Sequence, residues 1–184
     1  GPANFIGTTD NQPIQFKINN LKSGYIDNID GPYTGRNLFL GFQSGFNNTV
    51  SGFDNVYLGF KSGFSNLDGE FNTAVGSFTL QNSANSYSNT AIGSYAMQNA
   101  TGIVQSTAVG TGALTTALSG NYNQVFGYHA MFSTAAAGTF NCAYGYESLL
   151  NNTANYNCGY GNWSLKLNTT GASNSSFGYS SLFN

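Results

Sequence analysis

Bulky apolar residues recur along most of the chain at intervals of 16 to 18 residues, each time directly before a glycine. The nine glycines are Gly41, Gly59, Gly76, Gly93, Gly110, Gly127, Gly145, Gly161 and Gly178. The residues before them are Leu40, Leu58, Val75, Ile92, Val109, Phe126, Tyr144, Tyr160 and Phe177. Nine copies of one short phrase predict a solenoid of stacked coils, not a globular fold.

A second apolar position follows each glycine by four residues from the third coil onward. Its members are Leu80, Met97, Leu114, Met131, Leu149, Leu165 and Leu182, whereas the first two coils carry Gly45 and Gly63 there. Stretches rich in Gly, Asn, Ser and Thr separate the apolar segments and are typical of turns. We therefore expect two short strands and two turns per coil, in a parallel β-roll of about nine coils. The apolar spacing does not fit a helix.

Residues 1–36 differ from the repeats. Ile14, Phe16 and Ile18 alternate with polar residues, which is the pattern of a half-buried strand. We expect 1–36 to form an N-terminal β-rich cap or connector and 37–184 to form the repeat array.

The core of one roll looks thin. A coil supplies about two large apolar residues and an alanine, although about seventeen residues must be ordered at roughly 1.5 kcal/mol each. The chain also holds 15 Phe and 12 Tyr, which need partners to pack against. We therefore expect a homo-oligomer of parallel rolls, with three chains as the favoured number. A monomer with a self-sufficient core is the alternative.

Charge is sparse, since only 7% of residues are charged, against roughly 25% in ordinary soluble domains. From Phe71 onward the only formal charges are those of Glu147 and Lys166. This composition argues against a nucleic-acid partner and against docking on anionic membranes. No apolar run approaches the roughly 20 residues of a membrane span, so membrane insertion is not expected.

The two cysteines, Cys142 and Cys158, occupy the same position in adjacent coils, directly after the repeat asparagine. Stacked strands would bring their Cα atoms to about 4.8 Å, near the lower end of disulfide geometry. A disulfide is one interpretation. We favour the other, in which both are reduced, partly buried replacements for the threonines of earlier coils.

Motifs for catalysis, metal binding or cofactor binding are missing from the sequence. His129 is the single histidine, and the carboxylates Asp54, Asp68, Glu70 and Glu147 are scattered among the coils. We therefore expect neither an enzyme nor a bound metal or cofactor.

The position two residues after the glycine is the best candidate for recognition. It varies between coils and carries Phe78, Tyr95, His129, Glu147 and Trp163. Aromatic faces beside polar groups suit sugar rings, so these residues are candidates for surface recognition. Packing between subunits is the alternative interpretation, and the one the sequence favours.

The phrase Asn-Thr-Ala-Ile/Val-Gly, as in 72–76 and 89–93, resembles the head repeats of trimeric autotransporter adhesins. The period near seventeen is more similar to repeats of bacteriophage tail fibres and related surface fibres. The opening segment 4–13 also resembles a segment that often precedes such repeats. This resemblance implies a left-handed parallel β-roll and a homotrimer.

The resemblance also implies a function: a structural and receptor-binding segment of an extracellular fibre, carried on a virion, an injection system or a cell surface. Its partner would be a host cell-surface receptor, with a glycan as one candidate. The alternatives are the head of a trimeric autotransporter adhesin and an ice-binding β-solenoid. The ladder Thr73, Thr90 and Thr107 favours the ice-binding alternative.

Overall fold

The computed structural model describes residues 6–28, 35–49, 51–116, 118–132 and 137–184, and all regular structure in these ranges is β. Eleven strands form one sheet in chain order. They are β1 Ile14–Ile18, β2 Leu21–Ile26, β3 Leu38–Leu40, β4 Val56–Leu58, β5 Thr73–Val75, β6 Thr90–Ile92, β7 Thr107–Val109, β8 Gln124–Phe126, β9 Cys142–Tyr144, β10 Cys158–Tyr160 and β11 Ser175–Phe177. Strands β3 to β11 pair in parallel, one per coil, so the predicted all-β parallel solenoid is confirmed.

The first two strands form an antiparallel hairpin that extends the sheet beyond the first coil. β1 pairs with β2, and β2 pairs antiparallel with β3, placing Tyr25 opposite Phe39. The Lys22 Nζ donates a hydrogen bond to the Gly45 carbonyl at 2.8 Å and lies 4.6 Å from the ring centroids of Tyr25 and Phe39. The hairpin therefore covers the end of the core with an aromatic ring and a lysine.

The middle residue of each three-residue strand of the array is buried and faces the core. Ala91 is fully buried, whereas the next residue, Ile92, exposes 40% of its surface, because successive side chains of a strand face opposite sides. The expected count of two large core residues per coil is therefore wrong, because the strand alternation turns the whole column before the glycine outward.

The second apolar segment of each coil is not a strand, which corrects the expectation of two strands per coil. Phe78 and Leu80 have φ angles of 59° and 48°, and the same two positions have positive φ in every coil. Left-handed residues at alternate positions cannot follow an extended path. The segment is a run of turns, held to the next coil by bonds such as Leu80 N–H to the Ala96 carbonyl at 3.1 Å.

In most coils the core holds one pair of residues of complementary size. In the third coil, buried Ala74 accompanies buried Leu80, whereas in the first coil buried Phe39 accompanies Gly45. A Cβ added at Gly45 would lie 2.5 Å from the Phe39 ring, so the ring already occupies that volume. The first two coils therefore reverse the order of large and small residues, and the cross-section stays filled.

The repeat glycine is required for two reasons at once. Gly93 has a φ of 122°, and a Cβ there would lie 2.7 Å from the carbonyl carbon of Gly110 in the next coil. Side chains are disfavoured by that backbone shape and excluded by that contact. The other predicted repeat glycines, from Gly76 to Gly178, share the positive φ.

A ladder of asparagines lines the corner that precedes the strands. Asn55 Oδ1 accepts hydrogen bonds from the backbone N–H and the Nδ2 of Asn72, at 3.0 and 3.1 Å. Asn72 Oδ1 accepts the same pair from Asn89. The column consists of Asn37, Asn55, Asn72, Asn89, Ser106, Asn123, Asn141, Asn157 and Asn174. Because eight of these nine side chains are buried and bonded coil to coil, the column holds the corner together.

Candidate recognition surface

The five predicted recognition residues stand in one column, each with a left-handed backbone. Their φ angles lie between 50° and 61°. Tyr95 is exposed and the other four are half-buried. The fifth coil has Gly112 at this position, which divides the column into a group before it and a group after it.

Before Gly112, the surface is a ladder of aromatic rings. Phe42 and Phe60 stack at 5.8 Å, Phe60 meets Phe78 edge to face at 5.1 Å, and Phe78 stacks on Tyr95 at 5.1 Å. Each ring packs against the next one along the roll, as expected for a column of aromatic residues. Phe78 and Tyr95 therefore belong to a structural ladder whose outer edge remains open to solvent.

His129 covers the gap that Gly112 leaves. Its ring lies 3.9 Å from that of Tyr128 and 4.4 Å from that of Phe132. A Cβ added at Gly112 would lie 2.4 Å from the His129 Cδ2 atom. These contacts make His129 a packing residue within an aromatic patch.

The last two members of the column, Glu147 and Trp163, meet directly. The Trp163 Nε1–H donates to Glu147 Oε2 at 3.1 Å, and the Lys166 Nζ lies 2.6 Å from the same oxygen. Lys166 Nζ also lies 5.2 Å from the Trp163 ring and 5.8 Å from the Phe183 ring. The hydrogen bond from Lys166 lowers the pKa of Glu147, aided by Tyr146 and Trp163, so the carboxylate is ionised at neutral pH.

Further aromatic residues extend this cluster on both sides. Tyr146 meets Trp163 edge to face at 6.2 Å, and Tyr179 lies 5.2 Å from it. An open cavity lies between Trp163, Lys166, Ser180 and Phe183. We call Tyr146, Glu147, Trp163, Lys166, Tyr179, Ser180 and Phe183 the Trp163 cluster. Of these residues, only Glu147 and Trp163 were predicted from the sequence, because stacking by the repeat period does not show which neighbouring columns converge.

The outward column of the sheet forms a second surface. In the last four coils it is an unbroken aromatic stack, with ring centroids 4.7 Å apart for Phe126 and Tyr144, 4.6 Å for Tyr144 and Tyr160, and 5.2 Å for Tyr160 and Phe177. In the earlier coils the column is aliphatic. An apolar stripe thus follows the sheet from β3 to β11.

The two cysteines lie on this outward face, directly opposite each other on adjacent strands, as predicted from the repeat register. Both are free thiols and half-buried, in agreement with the reduced interpretation. Partial burial, together with the neighbouring Cys142, raises the pKa of Cys158, so this thiol is not activated as a nucleophile.

Within the described ranges, no three His, Cys, Asp or Glu side chains cluster in a way that could hold a metal ion. The same ranges contain no helix long and apolar enough to cross a membrane. Comparison of the chain with protein-family models, with curated proteins and with solved structures found no match.

Proposed function

We propose that this chain is a structural and receptor-binding segment of an extracellular fibre, of the phage tail-fibre kind, and that it works as a homotrimer without catalysis. Nine strands at about 4.8 Å give the roll a length of roughly 40 Å, which suits a fibre segment. Its partner on the host would be a cell-surface receptor.

The outward apolar column supports this proposal most directly. It follows every strand of the array, and its members include exposed residues such as Leu40, Ile92 and Phe177. A stripe of this length on a soluble protein marks a surface that another chain covers. Copies of the same chain match it in length and period, so parallel rolls could pair coil by coil around an axis.

The test is the solution mass of the protein by light scattering. We expect about three times 19.5 kDa. The double variant Ile92→Glu and Val109→Glu places charges on the outward column and should yield monomers. The matched control Thr101→Glu lies on an exposed turn and should remain a trimer. A monomeric parent protein would contradict the proposed assembly, and failure to bind any host cell would contradict the receptor role.

An ice-binding solenoid is the second candidate, because Thr73, Thr90 and Thr107 stack in register on the outward face. Only three coils carry this ladder, since Val56 and Gln124 flank it. Thermal hysteresis of the parent protein would favour ice binding, and its absence would leave the fibre proposal ahead. The autotransporter adhesin head remains a variant of the fibre proposal with the same assembly.

A further inference from the structure

We infer that the Trp163 cluster is a binding site for a neutral pyranose sugar. This inference rests on the proposed role in surface recognition and names the chemistry that one part of the surface recognises.

The chain concentrates its rare residues at this point. Glu147 and Lys166 are the only formally charged side chains after Phe71 in a segment of more than a hundred residues, and Trp163 is the single tryptophan of the chain. All three contact one another. Stacking of the roll does not need such a group, because the corresponding coils place Phe78 and Tyr95 in this column with ring contacts alone.

The cluster is held rigid before any ligand arrives. The hydrogen bond from Nε1 to Glu147 fixes the plane of the indole, and Tyr146 and Tyr179 pack on either side of it. The side chains of Lys166 and Glu147 expose only 22% and 16% of their surface, so their ion pair is partly shielded from water. A fixed arrangement lowers the entropic cost of binding.

The chemistry of the cavity matches a sugar. Its walls are the apolar surfaces of Trp163 and Phe183, against which the C–H groups of a pyranose can pack. Lys166 and Ser180 lie at the cavity, and Glu147 lies beside it, bonded to both Trp163 and Lys166. The ammonium can donate hydrogen bonds, the hydroxyl can donate or accept them, and the carboxylate can accept them at the edge of the site, which suits neighbouring sugar hydroxyls. Because Glu147 and Lys166 neutralise each other, an acidic sugar gains no net attraction. The site therefore favours a neutral one.

Intrinsic fluorescence provides the first test, since the single tryptophan lies in the site. The probes are the methyl glycosides of glucose, galactose and N-acetylglucosamine, with that of glucuronic acid for comparison. We expect a saturable change in Trp163 emission with at least one neutral glycoside and weaker binding of the acidic one.

Variants then locate the site. Lys166→Met and Glu147→Gln keep the tryptophan, and each should weaken binding about tenfold or more, because a hydrogen bond to a charged group contributes about 1.5–3 kcal/mol. Trp163→Ala, followed by saturation-transfer NMR, should abolish binding. The control Tyr122→Ala removes an exposed aromatic side chain from a different column and should leave binding unchanged.

The outcomes separate this inference from the proposed function. Failure of all three neutral glycosides to bind, or binding that Trp163→Ala leaves intact, would overturn the sugar site. Attachment of both the parent and Trp163→Ala to host cells would then still support the receptor role. Sugar binding at Trp163 by a protein that attaches to no cell would support the site and contradict the receptor role.

Discussion

At the residue scale, the backbone of every coil depends on left-handed positions. The repeat glycine, the residues two and four positions after it, and the residue before the asparagine all have positive φ. Side chains as large as Trp163 and Tyr156 occupy such positions, so positive φ alone does not demand glycine here. At the repeat glycines from Gly41 to Gly161, an added Cβ would also collide with the backbone of the next coil, and this second constraint explains why glycine recurs there unchanged.

Substitution of the repeat glycine should therefore cost more than strain alone. Gly93→Ala adds a Cβ that lies 2.7 Å from the Gly110 backbone at a φ of 122°. We expect a loss of about 3 kcal/mol or more in the free energy of unfolding. The control Gly102→Ala has a φ of 69° with open space around the new Cβ and should lose about 1 kcal/mol. Urea unfolding followed by circular dichroism compares the two, and equal losses would contradict the close-approach explanation.

At the element scale, the unit of the fold is the coil with its pair of core residues. The large residue stands in the strand in the first two coils and after the glycine in the next coils. Either order fills the same space because both side chains point to the centre of one cross-section. The combined volume of the two core residues is therefore constrained more strictly than the identity of either one.

A double-mutant cycle in the third coil tests this exchange. Ala74→Phe should overfill the core at a cost of about 1–3 kcal/mol, and Leu80→Gly should leave a cavity that costs about 2–5 kcal/mol. Together they recreate the order found at Phe39 and Gly45, so the double variant should be more stable than the sum of the single changes predicts.

The control cycle pairs Leu80→Gly with Val75→Phe, whose side chain faces outward. Its two changes should simply add. Equal coupling in both cycles, measured by chemical denaturation, would count against a size exchange inside the coil.

At the scale of the whole molecule, the N-terminal hairpin covers the end of the array with Lys22. Burial lowers the pKa of this lysine to about 8, partly offset by Asp27. A lysine in the unfolded chain titrates near pH 10.4. Between about pH 8 and 10 the unfolded chain therefore binds more protons than the folded one, and stability should rise with pH.

The expected result is an increase in Tm from about pH 8 to about pH 10. Above that range the rise should end. Burial raises the pKa of Tyr25 to about 12, whereas a tyrosine in the unfolded chain ionises near pH 10. Between these two values the folded chain binds the extra proton, so stability falls as the pH rises. Lys22→Met should remove the rise, whereas Lys17→Met, on the preceding exposed strand, should retain it. A Tm that falls steadily from pH 8 in the parent protein would contradict the lysine's role.

The sequence by itself determined the solenoid, its parallel stacking and its period. These features follow from the local sequence, because each coil repeats the same short motif of an asparagine, an apolar residue and a glycine. The repeated motif imposes the same backbone conformation on every coil. The sequence also placed Cys142 beside Cys158 and Trp163 beside Glu147, because stacking brings one column together.

Tertiary structure decided which way the side chains face and which columns converge. The outward direction of Ile92 depends on the strand's alternation about the buried Ala91, and the turn at Phe78 and Leu80 depends on left-handed angles that many residue types can adopt. The convergence of Lys166 and Phe183 on Trp163 depends on the path of the turn between columns. A repeat period fixes position along the roll, but only the folded coil fixes position around it.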